Sequence, residues 1–275
     1  MQQANGTAEG HAGSRQIEAV RFAAADGGPR REFIAEEVPV ALVYNRFPFA
    51  VMLATPADLE DFAVGFSLTE AVVGDAAEIS DVRTREEESG VEVHIEITKD
   101  RYMRLRERHR RNLVAGSSCG LCGSDSFAEA LRPLDPLLSM RRFAPQAISR
   151  AMAELPAHQI LNRGLGSLHA AAFATPDGAI VAAREDVGRH NALDKLVGFL
   201  ARNGIDREAG FVAVSSRCSF EMVHKTAAAG VPLIASISAP TSLAVSFAEE
   251  TGIGLAAFAR DGRFSLYATA SRIAE

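Results

Sequence analysis

The residues of this chain best suited to covalent chemistry are two cysteines in Cys119-Gly120-Leu121-Cys122-Gly123. Only a thiolate attacks sulfur or binds a soft metal, and it forms where its surroundings are positive. Lys99, Arg101, Arg104, Arg106, Arg108, Arg110 and Arg111 lie just upstream. Just downstream, Ser126-Phe127-Ala128-Glu129 has the form of a capping box, so a helix N-terminus is expected shortly after Cys122. A single C-x-x-C suits zinc binding, dithiol redox chemistry and sulfur transfer alike.

Zinc needs two further ligands. Cys218 and His224 are the candidates, but their separation falls just outside the usual ligand spacing, and a second C-x-x-C is missing. His94-Ile95-Glu96 ahead of the cysteines matches the H-x-E of zinc deaminases. The strict alternation of Val91 to Ile97 instead predicts a strand with His94 and Glu96 on its polar face, and Ser118 stands where that signature has proline.

Three further clusters sit at expected ends of strands. Glu185-Asp186-Val187-Gly188-Arg189-His190-Asn191-Ala192-Leu193-Asp194-Lys195 follows a strand and opens a helix, where ligands of parallel sheets bind. Arg189, His190, Asn191 and Lys195 would offer donors there; alternatively Asp186 caps the helix while Asp194 and Lys195 face water. Ser215-Ser216-Arg217-Cys218-Ser219-Phe220-Glu221 joins small hydroxyls, exposed amides and an arginine, which suits a phosphate, or Ser219 is a plain N-cap. Phe258-Ala259-Arg260-Asp261-Gly262-Arg263 reads, taken alone, as a β-turn through Asp261-Gly262. The arginine run is either a solvated helix face or a local anion site.

The elements that must position these groups change character along the chain. Residues 1–16 lack the apolar stretch of a secretory signal and read as a disordered tail on a cytoplasmic protein. Residues 17–111 read as a strand-rich α+β domain: strands over 17–22 and 32–44, a turn at Asn45-Arg46 into 47–54, a helix with Asp58 as N-cap, and a hairpin over 82–97. Residues 112–275 read as an α/β domain carrying the C-x-x-C loop, with strands alternating with helices from about residue 165 and a mainly parallel sheet. The 29 Lys+Arg against 35 Asp+Glu give a net charge of −6, which excludes a general coat for nucleic acid. No apolar run approaches the ~20 residues of a membrane helix. Three cysteines are too few, and odd in number, for a disulfide scaffold.

Together these segments resemble the FdhD family of formate dehydrogenase accessory sulfurtransferases. The resemblance rests on Gly116 to Gly123, Glu185 to Lys195, Ser216 to Val223, the Ala229–Ser246 stretch and Asp58 to Glu70. It implies a sulfur carrier that accepts sulfur from a cysteine desulfurase as a persulfide on Cys119, with Cys122 auxiliary. It further implies delivery to the molybdenum or tungsten bis-guanine-dinucleotide cofactor, held as a bound substrate, before that cofactor enters formate dehydrogenase. The implied cofactor stretch is Phe258, Ala259, Arg260, Asp261, Gly262 and Arg263, with Arg189, His190, Ser216 and Arg217 able to serve its phosphates. The implied fold is a cytidine deaminase-like three-layer α/β/α C-terminal domain without the zinc chemistry, beside a smaller N-terminal domain, in a homodimer with no permanent metal. The alternative is a zinc-binding or molybdenum-cofactor chaperone module with structural thiols. One departure is Ala71, where the family pattern leads one to expect glycine after Glu70.

Overall fold

The computed structural model describes residues 13–22, 27–114 and 132–274. Cys119, Cys122 and the capping box at 126–129 lie outside the described residues.

The first half is built on a four-stranded sheet of order β4-β3-β6-β5, formed by β3 (Val38–Tyr44), β4 (Phe47–Ala54), β5 (Ile79–Glu87) and β6 (Gly90–Ile97). The hairpin between β3 and β4 turns on Asn45 and Arg46, both with positive φ (45° and 67°), the primed geometry that matches strand twist. Period-2 patterning then sends Val40, Leu42, Val93, Ile95 and Ile97 to one face. There they meet Phe62, Ala63 and Phe66 of α1 (Leu59–Thr69) and Leu105 of α2 (Lys99–Val114). Complete burial of a side chain such as Phe62 contributes roughly 1.5–3 kcal/mol. The stretch expected as one strand over 32–44 is two. Strand β2 (Gly28–Ala35) pairs instead with β1 (Ser14–Arg21) in a separate ribbon, so β1 starts inside the stretch read as tail. Asp58 occupies the N-cap position but has a left-handed φ of 53° and makes no capping bond; its carboxylate lies 3.6 Å from Arg184 instead.

The second half carries a six-stranded sheet of order β12-β11-β10-β9-β7-β8. Its strands are β7 (His169–Ala174), β8 (Ile180–Asp186), β9 (Phe211–Val214), β10 (Leu233–Ser236), β11 (Gly254–Arg260) and β12 (Arg263–Ala268). The expectation of a mainly parallel sheet needs correction. Only β9, β10 and β11 run parallel, whereas β7–β8, β7–β9 and β11–β12 are antiparallel. The short connections at Pro176-Asp177-Gly178 and Asp261-Gly262 allow only hairpins. The central strands are almost entirely apolar, Ser236 and His169 at strand ends excepted, because both faces are covered. Val212 and Val214 pack under α4 (Arg189–Arg202), α5 (Phe220–Ala228) and α6 (Ser242–Thr251). Phe211 and Ala213 pack against Ile148, Met152 and Leu155 of α3 (Pro145–His158) on the other face.

Helix α1 also packs on α4, and the two backbones touch. A Cβ on Gly65 would stand 1.7 Å from the carbonyl oxygen of Asp194, and one on Gly198 1.8 Å from that of Asp61. Only glycine permits this approach. Thr69 ends α1, and Ala71 takes a left-handed φ of 53°. The position therefore has the conformation that favours glycine, the residue the family pattern leads one to expect there.

Candidate functional site

Strands β8, β9, β10 and β11 all end at one edge of the six-stranded sheet, and the polar clusters read from the sequence gather there. His190 Nε2 lies 2.7 Å from Glu221 Oε2 and 3.4 Å from Ser219 Oγ, which ties the start of α4 to the start of α5. The Cys218 amide donates to Ala239 O (3.1 Å), and the Phe258 amide donates to Ser238 O (3.2 Å). The loop after β10 thus links residues 215–219 to residues 258–263. His169, at the start of β7, belongs to the same edge. Burial lowers its pKa, and the charges of Arg189 and His190 lower it further. Arg189 Nε is buried and has no hydrogen-bond partner among the described residues. The pKa of Glu221 is lowered, chiefly by its hydrogen bond to His190.

The Asp261-Gly262 turn is a two-residue hairpin with φ of 54° and 72°. It sets Arg260 directly opposite Arg263, so both guanidinium groups leave the same face. With Phe258, Phe264 and Ser265 they line an open pocket of about 340 Å³. A bulge in β11 just before the turn places Phe258 at φ 51°, a strained conformation for a bulky side chain. Ala259 points the other way, into the core, where it is 2% exposed. Arg217 is exposed, whereas Ser216 is buried and its hydroxyl donates to Arg217 O.

The Glu185–Lys195 segment divides differently from either sequence reading. Asp186 and Lys195 are fully buried and 2.7 Å apart. Asp186 also accepts from the amides of Thr55 (3.0 Å) and Gly188 (2.8 Å) and from Asn191 Nδ2 (3.0 Å). Lys195 Nζ donates to Thr55 O and Asn191 Nδ2 to Leu53 O. Asn191 and Lys195 are therefore committed internally, binding the end of β4 to the second sheet, and neither Lys195 nor Asp194 faces water. Arg189 and His190 remain at the edge.

Asp194 belongs to a second buried cluster that the sequence reading missed. Lys225 Nζ lies 2.9 Å from Asp194 Oδ2 and 2.8 Å from Glu70 Oε1, and Thr69 Oγ1 donates to Asp194. Arg132 pairs with the Glu70 carboxylate and donates to its main-chain carbonyl at 2.9 Å. Arg108 Nη1 donates to that same carbonyl at 3.1 Å. Burial alone would raise the Glu70 pKa, but Lys225 and Arg132 outweigh it and hold it at about 2. The available signal was a lysine on the apolar face of a helix, Met222-Val223-His224-Lys225.

The two zinc candidates, Cys218 and His224, sit in different surroundings. Cys218 is wholly buried in the core, and burial pushes its thiol up to about 12. His224 stacks on Phe247 and its Nε2 contacts Arg132 O. Among the described residues no three His, Cys, Asp or Glu side chains converge as a metal requires. His94 is half-buried beside Glu92 on the polar face of β6, as the alternation predicts. The arginine run is partly absorbed by packing, with Arg101 on Glu78 and Arg106 over the Phe47 ring. Arg104 is exposed. Among the described residues no helix is long and apolar enough to cross a membrane.

A sequence model of the FdhD/NarQ family matches residues 35–274. A sulfur carrier protein FdhD from Cupriavidus necator is 49% identical over 240 residues, 87% of this chain and 83% of that protein. One of the same name from Bordetella bronchiseptica is 43% identical over 259 residues, 94% of each chain. The fold matches a crystal structure of a provisionally assigned formate dehydrogenase accessory protein from Desulfotalea psychrophila. The TM-score is 0.72 at 23% identity, over 95% of this chain and 99% of that one.

Proposed function

From its membership of the FdhD/NarQ family, to which this chain belongs, we propose that it is a sulfur carrier serving formate dehydrogenase. In this reading Cys119 accepts sulfur from a cysteine desulfurase and passes it to a molybdenum or tungsten bis-guanine-dinucleotide cofactor bound as substrate. The observation that carries it is the burial of Cys218. The chain has three cysteines, and a core thiol held near pKa 12 is neither ionised nor reachable. Sulfur chemistry falls to Cys119 and Cys122.

In the uptake step the Cys119 thiolate attacks the outer sulfur of the donor persulfide. The donor S–S bond breaks and the donor cysteine leaves as thiolate. Cys119 keeps the terminal sulfur, and no oxidant or reductant is consumed. The recipient carries pyrophosphates and guanines. Arg260 and Arg263, paired across their turn, suit a phosphate, and the exposed Asp261 carboxylate suits a guanine N–H edge. Arg189, His190 and Arg217 extend the same edge. The strand order 8-7-9-10-11-12 with helices on both faces supports the cytidine deaminase-like description, and the functional unit in this reading is a homodimer.

The test is intact-mass measurement after incubation with a cysteine desulfurase and cysteine. The wild type should gain one reductant-removable sulfur, Cys218→Ala should gain it too, and Cys119→Ala should not. Uptake by Cys119→Ala, or stoichiometric zinc on the purified protein, would replace this reading with another nucleophile or with the structural-thiol module.

A further inference from the structure

An imidazole and a carboxylate meet at the edge of the second sheet, from helices that start far apart in the chain. His190, in the first turn of α4, sets Nε2 2.7 Å from Glu221 Oε2, in the first turn of α5, and 3.4 Å from Ser219 Oγ. The pKa of Glu221 is lowered, chiefly by this hydrogen bond, so the group is a carboxylate. A carboxylate only accepts, which puts the shared hydrogen on Nε2. In the neutral ring Nδ1 then has none. Among the described residues the His190 ring bonds only Glu221 and Ser219, both through Nε2. Ser219 stands at the N-cap of α5 yet makes no capping bond, so its hydroxyl stays with the pair. The titratable and charged groups around the pair are Arg189 on α4, Lys225 on α5, His169 on β7 and Asp186 on β8. His169 is driven towards its neutral form by burial and then by Arg189 and His190, so it brings no positive charge of its own. Arg189 Nε is a buried donor without an acceptor among the described residues.

We infer that Glu221 is a positioning residue for His190: it fixes the imidazole as the Nε2–H tautomer and leaves Nδ1 for an anionic ligand, which His190 meets by taking up one proton. The ligand half rests on the proposed reading of this edge as the place for the recipient's phosphates; the tautomer half does not. Nδ1 of the neutral ring carries a lone pair and repels a phosphate oxygen. Binding therefore protonates Nδ1 from solvent. Its new N–H donates to the phosphate, while Nε2–H keeps its bond to Glu221. No bond to phosphorus forms or breaks. The Glu221 carboxylate balances the imidazolium charge, and the adjacent Arg189 brings a further cation with an unspent donor. A glutamine at 221 would still accept from Nε2–H but lacks the balancing charge.

Nitrogen-15 labelling of the histidines in the full chain tests the tautomer. Long-range proton–nitrogen correlation spectra at pH 8 report the state of each ring, and the signals lost in His190→Ala assign His190. The wild type should show Nε2–H, Glu221→Gln should keep it, and Glu221→Ala should give a mixture. Isothermal titration with GDP and, separately, with inorganic pyrophosphate, in two buffers of different ionisation enthalpy, reads proton uptake. At pH 7 the wild type should take up more protons per GDP than Glu221→Gln or His190→Ala. His190→Ala should also bind about tenfold more weakly, the size of one lost hydrogen bond to a charged group. Glu221→Gln keeps the side-chain shape, so its proton uptake decides the matter if Glu221→Ala folds poorly. An Nδ1–H ring in the wild type, or a tautomer unmoved by Glu221→Ala, overturns the positioning role. Equal proton uptake by wild type and His190→Ala overturns the ligand contact. A wild type that binds neither GDP nor pyrophosphate, with the tautomers as expected, sinks the phosphate reading of this edge and leaves Glu221 as the residue that sets His190.

Discussion

Replacing Lys195 with methionine isolates the energetics of the Glu185–Lys195 segment. The substitution keeps most of the side-chain volume and deletes one charge from a site with no solvent exposure. Three acceptors lose a donor: Asp186 Oδ2 at 2.7 Å, Thr55 O at 2.9 Å and Glu185 O at 3.4 Å. Removing one member of a buried ion pair typically costs 3–5 kcal/mol, because the other charge is left uncompensated. Here the Thr55 and Gly188 amides and Asn191 still donate to Asp186, which places Lys195→Met at the low end, about 3 kcal/mol. Asp186→Asn should cost a similar amount. The double variant should fall short of the sum by about 2 kcal/mol, since residues in one network couple by 0.5–3 kcal/mol. Urea denaturation followed by circular dichroism, with midpoints compared at constant slope, supplies all four corners of the cycle. Additivity within ~0.5 kcal/mol, the scatter of independent sites, would refute the argument that this pair locks β4 to the second sheet.

Two further outcomes follow from the same structure. At pH 8 under native conditions iodoacetamide should modify Cys119 and Cys122 but spare Cys218, whose thiol burial raises to about 12; mass mapping of tryptic peptides reads this, and rapid labelling of Cys218 contradicts the core packing. Because the Glu70 pKa is depressed on folding, its contribution to stability is fully present above its ordinary value of 4.5 and is lost as pH falls towards about 2. Wild type and Glu70→Gln should therefore differ by roughly 3 kcal/mol at neutral pH and converge in acid, and a pH-independent difference in melting experiments would contradict the assignment.

The elements themselves were largely legible in the sequence. Period-2 runs marked β6, helical stripes marked α1, and Pro-Asp-Gly and Asp-Gly punctuation marked the hairpins. Strand direction was not, because alternating strands and helices look the same whether a flanking strand returns antiparallel or crosses over. The gathering of residues 189–190, 215–219 and 258–263 along one edge followed from their places at strand ends. The roles within those clusters did not. Asn191 and Lys195 are turned inward by partners at Leu53 and Thr55, more than a hundred residues away in the chain. Periodicity carries no information about such partners. The Glu70 cluster was hidden for the same reason, since Arg108, Arg132, Asp194 and Lys225 are scattered over four segments.

The glycine-on-glycine crossing of α1 and α4 has a mechanical consequence. With backbone against backbone at Gly65 and Gly198, no layer of side chains remains there to slide or repack. A hinge between the two sheets would have to pull apart this backbone-to-backbone contact. The Glu70 cluster, at the end of α1, and the arginine-lined edge of the second sheet are thus held in a fixed relation, like two jigs bolted to one plate. Opening and closing around the crossing is therefore closed off as a way of moving these two features apart. On the sulfur-carrier reading proposed above, a sulfur donor and a recipient would each meet a frame that stays still at this crossing.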